Sequence, residues 1–323
     1  MTKNHSLVFP VFILMALTAL KNITMDLPPK RAHHALVYDE VSKSILMTGG
    51  STPLNGGSSF SFFNDLWSFD GKNWKLVGSA GDQRSGIGLA FDSKRNKIIS
   101  FGGFSGQSSL ADLRMLEGHE WKTMSHVQEL SATEPGFVYD EDRDRYIAFG
   151  GSKGRGEVNE TTWEWSGNEW KKIEAPGPGG RQAFAMVYDP KRKKTFLFGG
   201  MGATPEKIFN DTWEFDGIRW IKVDSTGPSA RMSMGCAYDS KRNLFMIFGG
   251  MSSNGMLGDT WAWNGKSWQK LSDKGPAARA MGYMAYDKER DRLVLFGGRI
   301  QWPNDANDTW EWDGKEWKEW QND

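Results

Sequence analysis

The sequence predicts an all-β propeller of six blades, each built from four antiparallel strands, and three observations predict it. A Gly-Gly doublet recurs at regular spacing six times in the 323 residues: Gly49-Gly50, Gly102-Gly103, Gly150-Gly151, Gly199-Gly200, Gly249-Gly250 and Gly297-Gly298. Their spacings of 53, 48, 49, 50 and 48 residues mark one unit repeated six times, as in radial arrays. Each repeat carries short aromatic and β-branched runs separated by turn residues. Each also ends on a Trp at the same place: Trp74, Trp121, Trp170, Trp220, Trp268 and Trp317.

Blade four shows the elements in order. Ala185 to Asp189 is an apolar run closed by an Asp turn, and Thr195 to Phe198 is a second run that enters Gly199-Gly200. Asn210 to Phe215 is the third and Trp220 to Val223 the fourth, joined by the tight turn Asp216-Gly217. These are strands a, b, c and d. Strand c carries Trp67, Trp163, Trp213, Trp261 and Trp310, with Arg114 in blade two. A large ring at a fixed place in each unit suits blade-to-blade packing, so the Trp residues read as core.

This order of Asp turn, Gly-Gly, c-strand aromatic and d-strand Trp resembles the kelch repeat, and Asn-Asp-Thr-Trp with Trp-Asp-Gly resembles its bacterial branch. The resemblance covers about residues 29–321 and implies a six-bladed propeller, with blades near 29–78, 82–125, 130–174, 179–224, 229–272 and 277–321. Many kelch rings borrow a strand from the other terminus. Here blade one has its own strand a and blade six its own strand d, which predicts closure mainly by blade-to-blade packing, without a borrowed strand.

The ends and composition bound the rest. Lys plus Arg and Asp plus Glu both number 40, so no net field favours nucleic acid or an anionic membrane. The single Cys236 excludes an internal disulfide framework and reads as a small buried hydrophobe. Residues 1–25 hold an apolar stretch, Leu7 to Leu20, between Lys3 and Lys21. It predicts a signal peptide and a secreted or periplasmic monomer, with an N-terminal membrane anchor as the alternative. Membrane contact is expected only through that segment.

Alternating strand direction puts the start of a, the end of b, the long b–c connection and the start of c on one rim. Long connections on a rigid scaffold carry function, which makes this the candidate face. An Arg precedes the Asp-turn aromatic by seven residues in five blades: Arg31, Arg84, Arg181, Arg231 and Arg279. An Asp stands two residues before the c-strand Trp position in five: Asp65, Asp112, Asp211, Asp259 and Asp308. Blade three has Ala132 and Thr161 instead, and this joint absence predicts an Arg–Asp bridge within each blade. Glycine on strand b is expected to make room for the arginine. The kelch resemblance implies a second reading, in which arginines at this position line a ligand pocket.

The b–c connections add Asn55, Phe60, Phe62 and Phe63 in blade one and Lys153 and Arg155 in blade three. They also bring Met201, Glu206 and Lys207 in blade four, and Arg299, Gln301 and Trp302 in blade six. Aromatics beside polar groups suit a protein or glycan ligand, although the Phe cluster equally suits packing onto its own blade. No metal or cofactor site is expected: the five His are His5, His33, His34, His119 and His126, and His34 reads as structural. A copper-radical oxidase fails for want of ligands. The recurring Asp-Gly-x-x-Trp lacks the spacing of a sialidase Asp-box. The run Asp140 to Arg145 reads as a solvated hairpin. The sequence thus predicts an exported, non-catalytic kelch propeller that binds a protein or glycan on the b–c face. The alternative is a sugar-processing enzyme resembling kelch-type sialic-acid mutarotases, for which Glu160, Glu206 and His33 are the residues to inspect.

Overall fold

The computed structural model describes residues 27–79, 81–204 and 207–322. The leader or anchor expected over 1–25, and Glu206, lie outside the described residues. Strands a to d of blade four are Ala185–Asp189, Lys194–Phe198, Thr212–Phe215 and Trp220–Asp224, in one antiparallel sheet. Blade one repeats this with Ala35–Asp39, Ser44–Thr48, Asp65–Phe69 and Trp74–Ser79, and blade two with Gly88–Asp92, Lys97–Phe101, Asp112–Glu117 and Glu120–His126. Blade three has Gly136–Asp140, Arg145–Phe149, Thr162–Trp165 and Trp170–Ile173. Blade five has Gly235–Asp239, Leu244–Ser252, Gly255–Trp263 and Trp268–Ser272. Blade six has Tyr283–Asp287, Arg292–Gln301, Asn304–Trp312 and Trp317–Glu319. Among the described residues no blade borrows a strand, and the six a strands touch in an unbroken ring around the axis.

The d-strand Trp does more than fill the seam. Its ring packs between blades, and its Nε1–H donates to a c-strand Thr of the preceding blade. Trp220 reaches Thr162 at 2.8 Å, Trp268 reaches Thr212 at 2.8 Å, and Trp317 reaches Thr260 at 2.8 Å. Trp74 of blade one reaches Thr309 of blade six at 2.9 Å, so the last seam is stitched like those three. Trp121 and Trp170 would meet Leu66 and Leu113 at that place, and their indole N–H groups are buried without a partner.

The Gly-Gly doublets serve a purpose other than the expected one. A Cβ on the first glycine would strike the backbone carbonyl of the next blade, not the arginine side chain: Gly49 would sit 2.5 Å from the Arg84 carbonyl and Gly297 2.7 Å from that of Arg31. The second glycine donates its N–H to the same carbonyl. These bonds measure 2.9 Å for Gly50, 2.8 Å for Gly103, Gly151 and Gly250, and 2.9 Å for Gly200 and Gly298. All twelve glycines have positive φ, which glycine alone adopts without strain. The doublets are therefore the backbone joints between blades.

The opposite rim carries a second set of joints, and here the reading of Asp140 to Arg145 as a solvated hairpin is corrected. Asp140 is 1% exposed and accepts the Arg143 backbone N–H at 3.0 Å and Nε–H at 2.8 Å. The Arg143 guanidinium then lies 5.3 Å from the Phe215 ring, against Gly217 of the next blade. Arg192 on Gly265, Arg242 on Gly314 and Arg290 on Gly71 repeat the arrangement. An Asp-anchored Arg thus caps the neighbouring c–d turn at four seams.

Candidate binding face

On the b–c rim the five arginines are almost fully buried and each meets the Asp of its own blade. Arg31 donates to both Asp65 oxygens at 2.6 Å, and Arg279 to those of Asp308 at 2.6 and 2.8 Å. Arg231 meets Asp259 at 2.6 and 3.1 Å, Arg181 meets Asp211 at 2.7 and 3.3 Å, and Arg84 meets Asp112 at 3.0 and 3.2 Å. Each Nη1 also donates to the carbonyl of the first doublet glycine, from 2.9 Å for Gly199 to 3.2 Å for Gly102. Phe63 covers Arg31 at 4.0 Å and Phe209 covers Arg181 at 3.8 Å, so these rings pack onto the clamps.

The c-strand Trp completes the clamp by donating Nε1–H to the Asp, at 2.7 Å in blades one, four and five and 2.8 Å in blade six. In blade two Arg114 takes that place and binds Asp82 at 2.7 Å. Burial first, and then the nearby Arg84, lowers the Arg114 pKa to about 10. Burial alone raises an Asp, yet hydrogen bonds from Arg231 and Trp261 hold Asp259 below its ordinary value; Asp211 and Asp308 behave alike. A charge so fully paired is spent on the scaffold. Blade three replaces the clamp by apolar packing of Leu130, Ala132 and Trp163.

At the axis the backbone makes a ring of its own. Two residues past each clamp position, His33, Gly86, Glu134, Ala183, Ser233 and Met281 all have positive φ, between 53° and 60°. Backbone hydrogen bonds join five of the six neighbouring pairs around the mouth, as from Gly86 N–H to the His33 carbonyl at 2.8 Å and from Met281 N–H to that of Ser233 at 2.7 Å. Over Gly86, where a Cβ would stand 3.0 Å from Glu134 Cγ, His33 Nδ1 meets Glu134 Oε1 at 2.7 Å. Glu134 also borders a small chamber of about 130 Å³ lined by Phe137, Phe184, Met234, Cys236 and Tyr283. Burial pushes the Cys236 thiol up to about 11, which keeps it protonated and inert. The channel opens more widely at the other rim, into about 260 Å³ lined by Tyr38, Tyr139, Tyr188, Tyr238 and Tyr286.

The b–c connections are largely ordered strands. Ser51–Leu54 pairs with Ser59–Phe62 in blade one, and Ser152–Gly154 with Glu157–Val158 in blade three. In blades five and six strands b and c run on past the doublet as long hairpins. The hairpins of blades one and six meet. Phe60, 41% exposed, lies 6.0 Å from Trp302, 52% exposed, and the Arg299 guanidinium is 4.9 Å from the Trp302 ring. Arg299 is buried and bound to Asp305 at 2.9 Å. Arg155 is exposed at the tip of the blade-three hairpin, and half-buried Met201 pairs with Gln182 in blade four. The residues singled out in the sequence thus fall into three groups: buried clamps, an aromatic patch at the six–one seam, and a scatter on blades three and four. Glu134 was missed, because its partner His33 is 101 residues away and no shared residue type marks their ring.

Closed six-blade symmetry with one elaborated rim defines a propeller scaffold. The chain belongs to the kelch-repeat family: a family model described as the KLHDC2/KLHL20/DRC7 Kelch-repeats domain matches residues 137–322, more than half of its length. No match was found among curated proteins.

Proposed function

We propose that this kelch propeller is a non-catalytic binding module that takes a protein or glycan ligand on its b–c face. The observation that carries this is the exposed Phe60–Trp302 pair, held at the meeting of two hairpins beside an already paired Arg299. Exposed aromatics grouped on a rigid rim are what a ligand buries for affinity. The clamp arginines support the same reading by what they lack: all five are ion-paired, which leaves the axis without a free cation among them for an acidic sugar. The His33–Glu134 pair is likewise self-satisfied. We place the mature protein outside the cytoplasm, on the apolar leader-like run of residues 7–20.

The test compares the full chain with a Phe60→Ala/Trp302→Ala variant on peptide and glycan arrays. Ligands that lose about tenfold or more in affinity support the reading, since that loss is about 1.4 kcal/mol. Ligands that bind both forms equally move the site elsewhere, and turnover of an acidic sugar by both forms would favour the mutarotase alternative.

A further inference from the structure

We propose that the six–one seam is a platform for a neutral glycan, with Trp302 as its stacking surface; this rests on the binding reading above and names its ligand class. The ring is supported. A Cβ on Gly57 would stand 2.5 Å from Trp302 Cζ2, so the blade-one hairpin lies directly against the indole. Beneath it Arg299 is only 6% exposed and is fixed by Asp305, so the support is itself held in place. Phe60 adds a second ring tilted by 56°.

What surrounds the rings selects the ligand. The hairpin tips, residues 54–60 and 300–304, expose Asn55, Ser58, Gln301 and Asn304 and contain no charged residue. Amides and hydroxyls both donate and accept, which matches the hydroxyl rim of a sugar. A sugar ring also has an apolar C–H face, which the indole covers. A carboxylate or ammonium brought against the rings would lose hydration with little to pair it, because Arg299, the cation that lies against Trp302, is already bound to Asp305. The chemistry therefore favours an uncharged oligosaccharide over an acidic sugar or a charged peptide.

The experiment is calorimetric titration of the full chain with cellotetraose, maltotetraose, mannotetraose, chitotetraose and tetragalacturonate. At least one neutral tetrasaccharide should bind, with an affinity that changes little between about 0.05 and 0.5 M NaCl, since no charge is neutralised. Trp302→Ala should weaken it by about tenfold or more, and Trp302→Phe should weaken it less. The side chain is exposed, so both variants should keep the parent melting midpoint. Tighter binding of tetragalacturonate, or neutral binding untouched by Trp302→Ala, overturns the proposal. If no saccharide binds while array peptides lose affinity in the Phe60→Ala/Trp302→Ala variant, the glycan assignment falls and the binding face stands. If neither depends on these two rings, both readings fall together.

Discussion

His34 shows how one residue can carry the fold's pH dependence. It is fully buried, both ring nitrogens lack a partner, and Tyr283 and Phe296 meet it edge-on at 5.5 Å. Burial first, then the Arg31 and His33 charges, holds its pKa well below 6.5. The unfolded chain therefore binds a proton that the folded chain refuses, and stability is lost as pH falls below about 6.5. Phe184 and Met234 occupy the same position in blades four and five. His34→Met should match the parent near neutrality and lose less stability between about pH 7 and pH 5, read from urea midpoints. An unchanged slope would assign the loss to other groups. A second residue-scale outcome concerns Thr260, whose hydroxyl accepts from Trp317. Thr260→Val keeps the shape and strands a buried N–H, so chemical denaturation should show a cost of about 1–3 kcal/mol.

At the scale of the element, the clamp explains why blade three differs. Arg and Asp recur at fixed places in five repeats and vanish together from the sixth, so the sequence pointed each at the other; in the structure all five pairs sit within ion-pair reach. Ala132→Arg alone would bury an unpaired cation beside Leu130 and should destabilise by about 3–5 kcal/mol. Adding Thr161→Asp should recover part of that loss, with a coupling of about 0.5–3 kcal/mol in a double-mutant cycle. Zero coupling would mean that Leu130 blocks the clamp geometry. Other elements were unreadable for a physical reason. Arg143, Arg192, Arg242 and Arg290 are each paired with the Asp three residues earlier, yet each also lies against a turn glycine of the next blade, and a glycine carries no charge that would point back to the arginine. The mouth ring is shared only as a φ value, across residues as unlike as His33, Gly86 and Met281.

The whole molecule is a ring, and its period made that legible, while the manner of its closing had to be seen. The first and last blades in sequence meet at the six–one seam, yet that seam has the same glycine joint as the rest. Gly298 N–H reaches the Arg31 carbonyl at 2.9 Å, as Gly200 N–H reaches that of Arg231 at 2.9 Å. A Cβ on Gly297 or on Gly199 would stand 2.7 Å from those same two carbonyls, and both have positive φ. If the ring is one cooperative unit, damage at the terminal seam must cost as much as damage at an internal one. Left-handed backbone alone costs an alanine about 1–2 kcal/mol, and the carbonyl contact adds to it. Gly297→Ala and Gly199→Ala should therefore lower the unfolding free energy equally, by more than about 2 kcal/mol, each in a single transition. A far milder Gly297→Ala, or an early transition in that variant only, would show that the terminal seam opens by itself and that blade packing without a shared strand closes the ring only loosely.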